Sequence, residues 1–362
     1  MKNLYRYYYI NSNYIMVFNT KNIHYYLLSI GVIFTASYFA NKMKQPFESN
    51  DEYEMIRNYV LNDSPLYGFN RPKLWIHSQY QVNSRKWKNF GSRNSTDLNQ
   101  PYLHLVIQSI IDKCGDDFHI CLIDDESFSK LIPSWEADIP NMAEPHKQLF
   151  RELAMMQVLH TYGGMIVPNS LLCMKNLKPL YDREMTNNKP FVCEAINKSV
   201  DLTKHTKQPT FVPSTYFMGS PKNHDSLNEF ISYLENRNAR THFTDEHLFK
   251  NDVATYLANM GKQRQISILD GSVVGVKTIS GKPIILDQLM EQQPLDFSPN
   301  CLGIYIPSDE ILKRTKYQWF AALPEEDVMN SDCVLTKMML ETLSAPVKLP
   351  MIGDVNRSIA SI

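Results

Sequence analysis

The side chains able to do chemistry gather at the ends of short apolar runs. His77 closes LWIH, Asp124 and Asp125 follow ICLI, Asn169 and Ser170 follow MIV, and Glu194 lies in FVCEAI. Arg151 and Glu152 precede the third run on a helical stretch. Two uses stay open for most of them. Asp124 and Asp125 either meet a ribose or a base, as acids after a second strand do in dinucleotide folds, or cap the helix starting near Glu126. His77 is either a structural hydrogen-bonding residue or part of a site. Glu194 either touches a ligand or pairs with a nearby lysine.

The stretch that must position these groups runs from His146 to Asn176. Leu149, Leu153, Met156 and Leu159 recur at helical spacing, so one helix face points at a core. Gly163 and Gly164 end that helix, because glycine accepts the left-handed conformation that satisfies the last carbonyls. Met165 to Val167 reads as a buried strand that stops at Pro168, Asn169 and Ser170. A loop at the carboxyl end of a parallel strand is where open α/β sheets bind ligands.

The run from Pro72 to Asn176 resembles the sugar-transferase families that carry an Asp-x-Asp motif. These include polymannose-extending and capsular-polysaccharide enzymes with one nucleotide-sugar-binding domain of the GT-A type. Arg71–Tyr80 (RPKLWIHSQY) resembles their opening strand, and Phe118–Phe128 (FHICLIDDESF) resembles the second. Leu159, Tyr162, Gly163 and Gly164 match the Leu-x-x-x-Gly-Gly lead, and Ser214–His224 (STYFMGSPKNH) is similar to a segment lining the acceptor side. The resemblance implies a GT-A-like domain with a mostly parallel sheet. It implies nucleotide-sugar contacts from Ile76, His77, Asp124, Arg151, Glu152, Gly163, Gly164, Asn169 and Ser170, with Glu152 and Glu194 as catalytic candidates.

The departures carry equal weight. The family's Asp-x-Asp falls on Pro168, Asn169 and Ser170, and no Asp or Glu occurs between Glu152 and Asp182. Asp-x-Asp holds Mn²⁺ or Mg²⁺ through hard anionic oxygens, and the metal neutralises the leaving diphosphate. Here those ligands are largely absent. The family's sugar-contacting Asp and Arg align with Glu152 and Met155; Arg151 lies one turn before Met155 on the same face. Without a metal, positively charged side chains such as Arg85, Arg93, Lys175 or Lys178 could supply the positive charge. Two readings follow: a transferase moving a sugar from a nucleotide sugar to a glycan, lipid or protein acceptor with weakened or absent metal dependence, or an inactive relative kept as a binding or scaffolding module. A tethered structural protein of unrelated fold is a third.

At 362 residues and 43% hydrophobic, the chain can bury one large α/β core. A net charge of −1 gives no field favouring nucleic acid. Six cysteines without a C-x-x-C pair argue against a zinc module and for buried free thiols. Residues 23–40 contain no Lys, Arg, Asp or Glu and read as a transmembrane signal anchor between a cytoplasmic tail (1–22) and a stem (41–70), with a cleaved signal peptide or a buried core helix as the alternatives. The transferase-like domain is expected at 71–345, with a tail at 346–362. Such a chain is a single-pass type II protein facing an endoplasmic-reticulum or Golgi-type lumen, or sits in a viral or host membrane.

Further expectations are local. Tyr102 to Cys114 should be helical, opened by Pro101 and closed by Gly115. Arg85 to Arg93, around Trp87 and Phe90, forms a basic loop that covers a diphosphate or is simply solvated. Phe230, Tyr233 and Leu234 mark one amphipathic helix, and Asp245 to Asn259 another. Asp270-Gly271 reads as a hairpin turn, and Asp327 to Leu343 as one helix packing the far side with Trp319 and Phe320.

Overall fold

The computed structural model describes residues 71–78, 100–133, 135–142, 146–197, 210–239 and 246–343, with side chains omitted at 246–248. The anchor, tails, stem and Arg85–Arg93 loop lie outside these residues. Among those described, no helix is long and apolar enough to cross a membrane.

The described chain is mixed α/β. β1 (Lys73–His77) leads to helix α1 (Tyr102–Cys114), β2 (His119–Ile123), the short α2 (Ser127–Leu131), the long α3 (His146–Tyr162) and β3 (Gly164–Ile166). β4 (Leu171–Cys173), α4 (Lys178–Met185), β5 (Phe191–Ile196), β6 (Phe211–Ser220), α5 (Asp225–Ala239), α6 (Glu246–Lys262) and β7 (Ser267–Leu269) follow. The main sheet has six strands in the order β2-β1-β3-β6-β5-β7. β1 pairs in parallel with β2 and β3, and β5 with β7; β6 is antiparallel to both of its neighbours. The sheet is thus mostly parallel, with one reversed strand. β8 (Gly303–Tyr305) pairs antiparallel with β4 in a second, two-stranded sheet. Helices α7 (Leu286–Leu289), α8 (Ser308–Lys313), α9 (Gln318–Ala321), α10 (Glu325–Met329) and α11 (Val334–Leu343) complete the described fold.

The described residues form two large apolar cores, one on the main sheet and one around the two-stranded sheet. Trp75 joins Leu149, Leu153 and Leu159 of α3 with Phe230 and Leu257 of α5 and α6. Tyr102 and Val106 of α1 join Leu172, Ile304, Phe320 and Met339 in the other. The chain moves from β1 to β2 on one side and reaches β3 on the other. The order therefore reverses between β1 and β3, the switch point outside which α/β sheets bind ligands.

The double glycine sets this geometry. Gly163 and Gly164 have φ of +69° and +102°. The Gly163 N–H closes the helix on the Leu159 carbonyl at 2.8 Å, and the Trp75 indole Nε1–H donates to the Gly163 carbonyl at 3.0 Å. Trp75→Phe keeps the ring packing and strands that buried carbonyl. It should cost about 1–2 kcal/mol, and equal chemical-denaturation midpoints for variant and parent would show the bond to be unimportant.

Three local expectations fail. Asp270-Gly271 is not a hairpin: Asp270 accepts from Ser272 N and starts a 3₁₀ turn over Gly271–Val274, which Gly275 ends at φ +67°. β7 therefore pairs in parallel with β5 instead of folding back. The helix expected over Asp327–Leu343 is two, α10 and α11. Its break comes where the Thr336 hydroxyl turns back to Ser331 and Cys333 and the Val334 N–H goes to the Glu291 carbonyl. Phe320 is buried as expected, but Trp319 is half exposed.

Candidate functional site at the carboxyl edge

α3 feeds β3 from the amino edge, so it runs antiparallel to the strand and its first turns reach the carboxyl edge. This is why Arg151 and Glu152 lie near the strand ends while the glycines at the helix's other end do not. Asp125 follows β2 and is almost fully buried. Arg151 donates to it twice, Nε to Oδ1 at 2.7 Å and a terminal NH₂ to Oδ2 at 2.6 Å. His77 Nε2 lies 3.0 Å from the same Oδ1. Burial alone would raise the Asp125 pKa; the Arg151 and His77 contacts outweigh it and hold the carboxyl well below the usual carboxylate range. An ionised Asp125 requires a proton on His77 Nε2, and the ring stacks on Phe128 at 5.6 Å.

Asp124 takes the local role. Its carboxylate accepts from Ser127 N at 2.9 Å and Ser127 Oγ at 2.6 Å, closing the turn into α2. Of two adjacent acids, one orders a turn and the other joins the cluster. Asn169 sits beside β1's exit, its Nδ2 a long 3.4 Å from Ser78 Oγ. Ser170 is buried. Glu152 accepts from the Thr215 hydroxyl of β6. Desolvation raises its pKa, opposed by Thr215 and by the charge of Lys250.

Glu194 stands further along the same edge, on β5. Its Oε2 accepts from Gly271 N at 3.0 Å and from Lys277 Nζ at 2.5 Å, and Lys277 also reaches Asp270 at 2.7 Å. Burial opposes ionisation of Asp270, yet Lys277 and Ser272 together bring its pKa down to about 2. Lys277 also lies 4.5 Å over the Phe211 ring. The lysine-paired alternative for Glu194 is therefore the observed one.

The structure thus brings His77, Asp125, Arg151, Glu152, Asn169 and Glu194 to one edge, and adds Thr215 and Lys277. It does not bring every candidate there. Ile76 is a core side chain with no exposure. Gly163 and Gly164 lie at the amino end of β3 and serve close packing: a Cβ on Gly164 would be 2.2 Å from the Lys73 carbonyl oxygen. Lys175 binds the Pro299 carbonyl, and Lys178 pairs with Asp182. Asn176, between them, contacts Asp117 ahead of β2, so this segment adjoins the amino edge and is out of reach of a diphosphate at the other.

The donor set at the expected metal position does not fit a hard divalent cation. Pro168 has no side-chain donor and its carbonyl accepts from Leu171 N–H, Asn169 offers one neutral side-chain carbonyl, and Ser170 is buried. The nearby carboxylates of Asp125, Glu152 and Glu194 are engaged by protein donors. Mn²⁺ and Mg²⁺ require several oxygen ligands, preferably anionic.

No protein-family model matches the chain, and no curated protein matches it. Among solved structures, the galactosyltransferase LgtC in complex with donor and acceptor sugar analogs is similar over 76% of this chain and 97% of that one, at a TM-score of 0.35 and 10% identity. An active-site mutant of LgtC is similar over 55% of this chain and 73% of its own, at a TM-score of 0.28 and 10% identity. Likeness at this level assigns no residue a role.

Proposed function

We propose that the carboxyl edge at the β1/β3 switch point is a nucleotide-sugar cleft. On this reading the chain is a GT-A-like glycosyltransferase that moves a sugar to a glycan or other acceptor without a carboxylate-held metal. The observation that carries it is the convergence of His77, Asp125, Arg151 and Asn169 from three strand ends and the preceding helix at the one place where strand order reverses. The matching segments from Arg71 to Asn176 support the same reading. The 23–40 segment would hold the protein in a membrane, with the body on the lumenal side.

A second reading has its own support: Asp125, Glu152 and Glu194 are each tied to protein donors, which suits a nucleotide- or glycan-binding module that transfers nothing. Calorimetry separates the two. Full-length protein in detergent is titrated with UDP, GDP and CDP, with and without Mn²⁺, and then assayed for hydrolysis of nucleotide sugars. Binding of one nucleotide, unchanged by Mn²⁺, with turnover that falls in Glu152→Ala is the expected result. Binding without turnover selects the module. No heat from any nucleotide removes the cleft, and affinity that depends on Mn²⁺ removes metal independence.

A further inference from the structure

α5 and α6 lie side by side on the α3 face of the sheet, and between them is a groove of about 440 Å³ lined by Glu229, Ser232, Tyr233, Asn236, Arg237 and Tyr256. The first five occur at helical spacing along one stripe of α5, next to the buried stripe of Leu227, Phe230, Ile231 and Leu234. Their types are unusual for a helix face left to solvent. Tyr233 and Tyr256 stack with centroids 4.0 Å apart and planes 13° from parallel, backed by buried Phe230 at 6.3 and 5.8 Å. The two phenols are thereby fixed before any ligand arrives.

The charges limit what the groove can take. Glu229 and Arg237 have opposite signs, and Arg237 already pairs with Asp252 of α6 at 2.9 Å. An anion therefore gains little from Arg237 and is opposed by the Glu229 carboxylate, which already accepts from Gln265 at 3.0 Å. What remains is a set of hydrogen-bonding groups around one carboxylate: two phenol hydroxyls, the exposed Ser232 hydroxyl and Glu229, while the Asn236 amide already donates to the Ser232 carbonyl at 2.8 Å. Partial burial keeps both phenols above their ordinary pKa, so they stay protonated. Rigid aromatic carbon beside several donors and acceptors complements a ligand with apolar C–H faces and many hydroxyls.

We propose that this groove is a carbohydrate-binding site, separate from the cleft, that holds a neutral sugar unit of a glycan chain. Its position suits that role: Asn238, next to Arg237, donates to the Leu149 carbonyl of α3, two residues before Arg151. A glycan seated in the groove would run toward the same edge as the cleft.

Saturation-transfer NMR on the full-length protein, in a sugar-free zwitterionic detergent, tests the site with mannotriose, maltotriose, cellotriose and diacetylchitobiose. At least one should receive saturation in the parent. Its signal should fall tenfold or more in Tyr256→Ala and in Ser232→Trp, which fills the groove from its exposed rim without touching the stack. Glu152→Ala, in the cleft, should leave it unchanged, so the site stands or falls apart from transferase activity. Saturation that survives both groove variants, or binding of peptides in place of any sugar, overturns the proposal, as does the failure of all four probes.

Discussion

Gly164→Ala should lower the melting temperature by about 10 °C or yield insoluble protein, a loss of about 4 kcal/mol or more. The position combines two costs that are usually met singly. Its φ of +102° is one that side-chain-bearing residues rarely adopt. Its missing Cβ also leaves the space through which β1 passes, with the Lys73 carbonyl oxygen only 2.2 Å from where that atom would sit. The oxygen belongs to a strand held on both sides, by β2 and by β3, so it cannot retreat without breaking ladder pairs. Gly281→Ala is the control for backbone strain alone. Its φ is +79° but nothing lies within 4 Å of the added atom, so it should cost about 1–2 kcal/mol. If both variants melt within a degree or two of each other, close approach to β1 is not what Gly164 provides.

That result also bears on what the chain reveals before it folds. Buried apolar runs identify β1, β2, β3 and β5 to within a residue or so, since each is short and bounded by polar residues, glycine or proline. The double glycine is legible for the same reason: few other uses explain two in succession after a helix. Strand direction is another matter. β6 has the composition of its neighbours and runs against them, because direction depends on where the chain re-enters the sheet. Pro213 obscures its first residues as well, since proline argues against a strand interior; in the pairing Pro213 stands opposite Glu194, just past a register shift between Val192 and Cys193.

The candidate site was legible in position and only partly in partners. The positions of His77 and Asn169 on the sheet edge follow from where a hydrophobic run stops, and that of Glu194 from its place inside one. Nothing local distinguishes Asp124 from Asp125. The choice is made by Arg151, 26 residues further on, and by Ser127 nearby. Thr215 and Lys277 were missed because their partners, Glu152 and Glu194, lie 63 and 83 residues away. The Asp-Gly pair misled for a related reason: aspartate before glycine serves a hairpin or an N-cap, and parallel pairing of β7 leaves only the second.

Asp125→Ala should destabilise the protein by about 3–5 kcal/mol, because it removes the buried carboxylate to which Arg151, 14% exposed, donates twice and beside which His77 lies. The ion pair itself need not be the source of that loss. Replacing both partners, as Asp125→Leu with Arg151→Met, removes the charge left behind as well as the attraction. It should recover most of the stability in a double-mutant cycle. The pH dependence gives an independent check. A carboxyl whose folded pKa lies below its unfolded value near 3.9 binds fewer protons in the folded state, so unfolding takes protons up. Its contribution is complete above about pH 5 and drains away as acid is added below that, by up to about 1.4 kcal/mol per pH unit. The parent should therefore lose stability toward acid more steeply than the double variant, measured as urea midpoints between pH 6 and pH 3 (roughly the window set by ordinary carboxyls). Parallel slopes would mean that Asp125 is not an ionised, buried partner of Arg151, and the proposed cleft would lose the anchor that sets the tautomer of His77.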